Sequence, residues 1–244
     1  MAFIEGKTVR EIAIENPATV PLFESLGIDY CCGGRRPLEE ACERANVSVA
    51  HVLDRIAKLE ARQTSPEKEH WADARLAELM DHIVTRHHGY VRQEIPRLEQ
   101  LLNKVVSKHG PAHPELASIQ SLFTAVAEEL QAHMMKEEHM LFPHIEKLER
   151  AISAGEPVPA SCFATVQMPI ARMLAEHDDA GEITSQIRAF ANDFKAPDDA
   201  CPSYRGLYHG LNEFERDLHR HVHLENNILF PRAVEMERSC EAAA

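Results

Sequence analysis

The sequence predicts an all-α protein, with a small N-terminal helical domain followed by an up-down-up-down four-helix bundle. Three observations lead there. The 244 residues are 44% hydrophobic with only 10 glycines, the composition of a globular, helix-rich chain. From about residue 71 the pattern becomes four long helical stretches, near 71–107, 114–150, 168–195 and 203–238. Brief punctuation separates them, at His109-Gly110-Pro111, Ala154-Gly155-Glu156-Pro157 and Ala196-Pro197-Asp198-Asp199, and loops this short join antiparallel neighbours.

The elements follow in order. Residues 1–63 read as the small domain. Thr8 and Glu11 form a capping-box pattern ahead of Ile12 and Ile14. Asn16-Pro17 and Arg36-Pro37 place prolines where first helical turns begin. Ser48 opens an apolar-periodic stretch through Val52, Leu53, Ile56 and Leu59. Between these helices Asp29-Tyr30-Cys31-Cys32-Gly33-Gly34 reads as a turn. Residues 64–70 read as a linker, 71–238 as the bundle and 239–244 as a tail. Pro96, Pro143 and Pro231 fall inside or late in the long helices and predict kinks or early ends, not absent helices.

Composition narrows the function. A net charge of −13 argues against nucleic acid as a partner, because phosphate backbones need a concentrated positive face. No apolar run is long enough for a bilayer, so no membrane partner is expected. The start, Met1-Ala2-Phe3-Ile4-Glu5, lacks the basic and apolar regions of a secretory signal, which predicts a cytoplasmic protein. In a reducing compartment the six cysteines are expected to be free, catalytic or metal-facing. The 15 histidines are far above ordinary usage, and histidine is the commonest metal ligand.

An internal repeat sorts those histidines. His133-Met134-Met135-Lys136-Glu137-Glu138-His139-Met140-Leu141-Phe142-Pro143 matches His221-Val222-His223-Leu224-Glu225-Asn226-Asn227-Ile228-Leu229-Phe230-Pro231, both as H-x-x-x-E-x-x-x-L-F-P, 88 residues apart. His88 and His177 stand 89 apart, one in each preceding helix. Residues i and i+4 share a helix face, so His133 with Glu137, and His221 with Glu225, can each address one metal region. Four imidazoles and two carboxylates suit two metal ions with bridging carboxylates and open positions, and this mixture fits iron well, with zinc or manganese as alternatives. A single H-x-x-x-E is usually a solvated surface pair. Two copies, each preceded by a histidine at a matching interval, are hard to explain that way.

The same offset rejects His219 and His223 as ligands, since their partners are Gln131 and Met135. His82, His87, His139, His144 and His209 also lack repeat partners and read as surface residues or neighbours of the ligands. Glu129 and Asp217, related by 88, lie one turn before His133 and His221, and Glu176 stands beside His177. These three are candidate ligand neighbours or proton-path groups, with an ordinary exposed acid as the alternative. Cys31 and Cys32 precede Arg35, Arg36 and a helix expected from Pro37, a setting that favours thiolates. Such a reactive pair could receive a nitrosyl group, hold iron or form an adjacent disulfide. The lesser alternative is a pair of small structural residues in a tight turn. Cys42, Cys162, Cys201 and Cys240 show no metal-like spacing.

The paired H-x-x-x-E-x-x-x-L-F-P segments resemble the hemerythrin-like domain, and with Asp29-Tyr30-Cys31-Cys32-Gly33-Gly34 the whole chain resembles the iron–sulfur cluster repair di-iron proteins. The resemblance implies a non-haem di-iron site, oxo- or hydroxo-bridged, ligated by His88, His133, Glu137, His177, His221 and Glu225. It implies a stress protein that restores iron–sulfur clusters damaged by nitric oxide or oxidants, by supplying iron to the damaged cluster proteins. The alternative is a sensor or enzyme that binds nitric oxide and reduces it to nitrous oxide. An oxygen carrier is more distant, because oxygen-carrying hemerythrins use more histidines and lack the cysteine domain. A homodimer is left open. Lying across a linker, the cysteine domain is expected to be dispensable for building the metal site.

Overall fold

The computed structural model describes residues 6–62, 71–156 and 163–241. The expected linker at 64–70 and Cys162 lie outside them. Among the described residues the secondary structure is helical throughout, with the small helical domain first and the long helices of a bundle after it. By contacts it divides into two units. One joins the residues up to Arg75 with His219–Arg232, and the other joins Leu76–Leu218 with the residues from Ala233.

In the first unit, α1 (Val9–Glu15) starts on the predicted capping box, with Thr8 and Glu11 each satisfying the other's backbone N–H. A 3-10 turn over Pro17–Thr19 leads into α2 (Val20–Leu26). Helices α3 (Leu38–Arg44) and α4 (Val49–Arg62) complete the small domain. The turn between α2 and α3 is tied back to α1. Arg10 N–H donates to the Gly34 carbonyl at 2.7 Å, and Val9 N–H to that of Arg36 at 3.1 Å. A Cβ at Gly34 would stand 2.4 Å from the Tyr30 carbonyl oxygen, so only glycine fits this approach.

The bundle helices are α5 (Leu76–His82) continuing into α6 (Gly89–His109), α7 (Glu115–Lys136) continuing into α8 (Phe142–Ala154), α9 (Gln167–Phe190), and α10 (Pro202–Leu224) continuing into α11 (Phe230–Glu241). Within the second unit α7 packs on both α6 and α9, and α5 on α8. Phe123 meets Phe214 edge-on at 5.4 Å, joining α7 to α10. No described helix is long and apolar enough to cross a membrane.

The first bundle helix begins at Leu76 rather than near 71, because Glu149 of α8 supplies its cap. The Glu149 carboxylate accepts from the backbone N–H groups of Leu76 and Ala77 at 2.7 and 3.1 Å. Glu237 of α11, 88 residues later, does the same at the start of α9 by accepting from Val166 N–H at 2.9 Å. The repeat therefore extends to a buried acid that closes each half. The third helix ends earlier than expected, at Phe190. Asn192, Asp193 and Phe194 all take the left-handed conformation, at φ 48°, 57° and 55°. Asparagine and aspartate tolerate it. Phe194 is held there beneath the Arg188 guanidinium, 4.8 Å from its ring.

Pro143 and Pro231 each follow a π-helical turn, over Glu137–Leu141 and Glu225–Leu229, while a third π turn spans Ile83–His88. Pro96 lies within a continuous α6.

Candidate metal centre

Each π turn carries a residue that the repeat singles out: His88 ends the first, Glu137 opens the second and Glu225 opens the third. All six candidates are buried, and His88, Glu137 and Glu225 have no solvent exposure.

In the second unit the structure brings His88, His133, Glu137 and His177 together. The His88 and His133 Nε2 atoms lie 3.5 and 3.3 Å from the Glu137 carboxylate. His177 Nε2 is 2.9 Å from His133 Nε2. His133, Glu137 and His177 each offer a donor atom within 4.8 Å of the others. In the first unit His221 Nε2 and Glu225 Oε1 form the equivalent pair, 3.0 Å apart on one helix face.

The far nitrogens of two imidazoles fix their tautomers. His88 Nδ1 lies 2.6 Å from Glu138, and His133 Nδ1 lies 2.9 Å from Glu176. A carboxylate only accepts, so each Nδ1 carries a proton, and in the neutral ring, the form that can ligate, Nε2 presents a lone pair. Against burial, which pushes it up, bonds from Lys136, His133 and Arg172 hold the Glu176 carboxyl at about 2. Burial likewise opposes ionisation of Glu138, and the bonds from His88 and Arg92 outweigh it. With both rings in that neutral form, the lone pairs of His88 and His133 face the buried Glu137 carboxylate. Electron-pair donors converging this way repel one another unless a cation lies among them, so the donor set fits a metal ion.

The remaining candidates separate. Glu176, whose sequence neighbour is His177, contacts His133 from the adjacent helix. Glu129 is exposed, as in the alternative reading of an ordinary surface acid. Asp217, its repeat partner, is buried and paired with His87 at 3.1 Å. His87 and His144 are buried rather than at the surface. His223, which the repeat rejects as a ligand, is buried beside the Tyr30 carbonyl and Asn227, and burial lowers it to about 4. Glu138 was missed because it has no repeat partner: position 226 is asparagine. The available signal was an acid next to a ligand candidate, with Arg92 one turn beyond His88 to balance it.

Cys31 departs from the thiolate expectation. A hydrogen bond with Cys32, burial and the neighbouring Asp29 carboxylate all push its thiol well above the ordinary range. Its thiol lies 3.5 Å from Asp29 Oδ1, while Arg36 is drawn toward Asp29 and Glu40. Among the described residues, a thiol lowered by its surroundings is Cys201, to which the sequence assigns nothing. Backbone N–H groups at the start of α10, that of Tyr204 foremost, and His109 Nε2 at 3.2 Å bring it to about 7.

The fold and this donor set define a hemerythrin-type cation-binding protein. Residues 79–233 match the Hemerythrin HHE cation binding domain, and residues 5–60 match a domain of unknown function, DUF542. More narrowly, the chain belongs to the family of the iron–sulfur cluster repair proteins. It is 36% identical to a probable iron-sulfur cluster repair protein of Haemophilus influenzae, covering 96% of this chain and 99% of the relative. It is 37% identical to the iron-sulfur cluster repair protein YtfE of Escherichia coli and of Escherichia fergusonii, covering 92% of this chain and 94% of each.

Proposed function

We propose that this protein repairs iron–sulfur clusters damaged by nitrosative or oxidative stress, by supplying iron from a di-iron centre. His88, His133, Glu137, His177, His221 and Glu225 would hold two iron ions, with Glu137 and Glu225 bridging. The observation that carries the reading is the orientation of the donor set in the second unit. There, lone pairs of His88 and His133 converge with the His177 ring on a buried carboxylate. The duplicated His221–Glu225 pair would supply the matching half. The relatives are named for cluster repair and match nearly the whole chain, so the activity is assigned to both domains together.

Bound iron would supply a labile metal whose release restores a cluster. The chain's own residues hold the imidazoles in their ligating tautomer through Glu138 and Glu176, and exclude water by burial. Arg92, Lys136 and Arg172 balance those acids from partly exposed positions.

The test is to load the protein with iron-57 and mix it with a hydratase whose [4Fe–4S] cluster has been damaged by nitric oxide. Recovery of hydratase activity with iron-57 in its cluster is expected. Recovery without transfer of the label would reject iron supply, and nitrous oxide release without recovery would favour the nitric oxide-reducing alternative.

A further inference from the structure

The motif H-x-x-x-E-x-x-x-L-F-P ends in a proline that ligates nothing, yet it stands at the same place in both halves. In an α-helix Pro143 would owe an N–H to the His139 carbonyl, and its ring would press against that oxygen. Pro231 stands in the same relation to Asn227. The chain avoids both conflicts by widening the preceding turn. Phe142 N–H bonds to the carbonyl of Glu137, five residues back, and Phe230 N–H to that of Glu225. In both halves the residue whose carbonyl closes the π turn is the glutamate assigned to the metal centre.

The widened turn also changes which residues share a face. Just before it, the ordinary α-helical bond from Glu137 N–H to the His133 carbonyl keeps these two one turn apart. Just after it, the extra residue advances the helix by about 100°, so Phe142 follows Glu137 inward. Its ring stacks on the His88 imidazole at 6.0 Å and 16° between planes. Leu141, Phe142, Leu229 and Phe230 are all buried. The third π turn, Ile83–His88, has no such proline, and α9 carries His177 without a π turn. The two prolines therefore belong to the two glutamates.

We propose that Pro143 and Pro231 are positioning residues of the metal centre: each enforces the π turn that aims Glu137 or Glu225 and, in the first half, seats Phe142 against His88. This rests on the metal-centre reading for its consequence, and on the backbone alone for its geometry.

The test uses the full chain with P143A, P231A and, as control, P96A. Alanine can make the missing α-helical bond, so helix content by circular dichroism should hold and thermal stability of the metal-free protein should stay level or rise. Iron should nevertheless pass to a chelator about ten-fold faster from P143A and P231A, with a shifted iron absorption spectrum, while P96A behaves as wild type. In metal-free P143A the proton contact between the Phe142 and His88 rings, followed by NMR, should disappear. Survival of that contact would overturn the proposal whether or not iron binds. So would wild-type iron retention in both variants, loss of helix in step with loss of iron, or an equal effect from P96A. Failure of wild type to bind iron would count against the metal-centre reading alone, since the ring contact is read without metal.

Discussion

At the residue scale, what a side chain touches outweighs what stands beside it in sequence. Cys31 has arginines four and five positions on, but lies against Asp29 and is buried. Cys201 has aspartates nearby in sequence, yet takes its character from His109 and the start of α10. Since the thiolate is the reactive form, alkylation of Cys201 by iodoacetamide should rise as pH climbs through about 7. Cys31 should stay slow across that range, as its shift is upward. Mass spectrometry of labelled peptides would check this, and equal rates at neutral pH would contradict it. A second expectation concerns the acids behind the imidazoles. E138Q and E176Q each replace a carboxylate holding an imidazole proton and should weaken iron binding by roughly 10- to 100-fold in chelator competition. E129Q, at an exposed position, should leave it unchanged. The gathering of His88, His133, Glu137 and His177 was legible because helical spacing and a repeat fix it. Glu138 and the His109–Cys201 pair were not, because they depend on how particular helices pack.

At the scale of elements, the long helices were legible from periodicity and punctuation, and their ends were less so. Local pattern says nothing of an acid arriving from 73 residues away to cap a helix, as Glu149 does for Leu76. Nor does it distinguish a proline that kinks a helix from one that widens its preceding turn. The paired caps are testable. E149A would strand the backbone N–H groups of Leu76 and Ala77, and E237A that of Val166, at a cost of about 1–3 kcal/mol each. Urea denaturation should show lower midpoints for both variants, each by a similar amount. A large effect from one and none from the other would break the equivalence of the halves. The conservative E149Q and E237Q, which keep an acceptor oxygen, should lose less.

At the scale of the molecule, the sequence suggests two separable domains, and the contacts divide the chain differently. The segment His219–Arg232, which carries His221 and Glu225, groups with the N-terminal residues. Arg220 makes two bonds of 2.9 Å to the buried Glu24 carboxylate. Asn227 donates to the Tyr30 carbonyl at 3.0 Å, and the Tyr30 and His223 rings lie 5.3 Å apart. Helix α1 packs on the π turn that begins at Glu225. Ligand candidates at 221 and 225 thus alternate along one segment with residues that hold the cysteine loop at 223 and 227. A chain shortened to residues 68–244 would leave His223 and Asn227 without these partners and Arg220 without its acid. Contrary to the dispensability the linker suggests, that chain should retain iron poorly and melt at lower temperature. Replacing Cys31 and Cys32 together by alanine should do neither to a comparable degree, because the loop is held through the backbone carbonyls of Tyr30 and Cys31. Iron content and melting temperature of the two proteins, measured side by side, decide the matter. A shortened chain that holds iron as well as the full one would show that His221 and Glu225 need no support from the N-terminal residues. Equal iron loss in both proteins would assign the support to the thiols themselves.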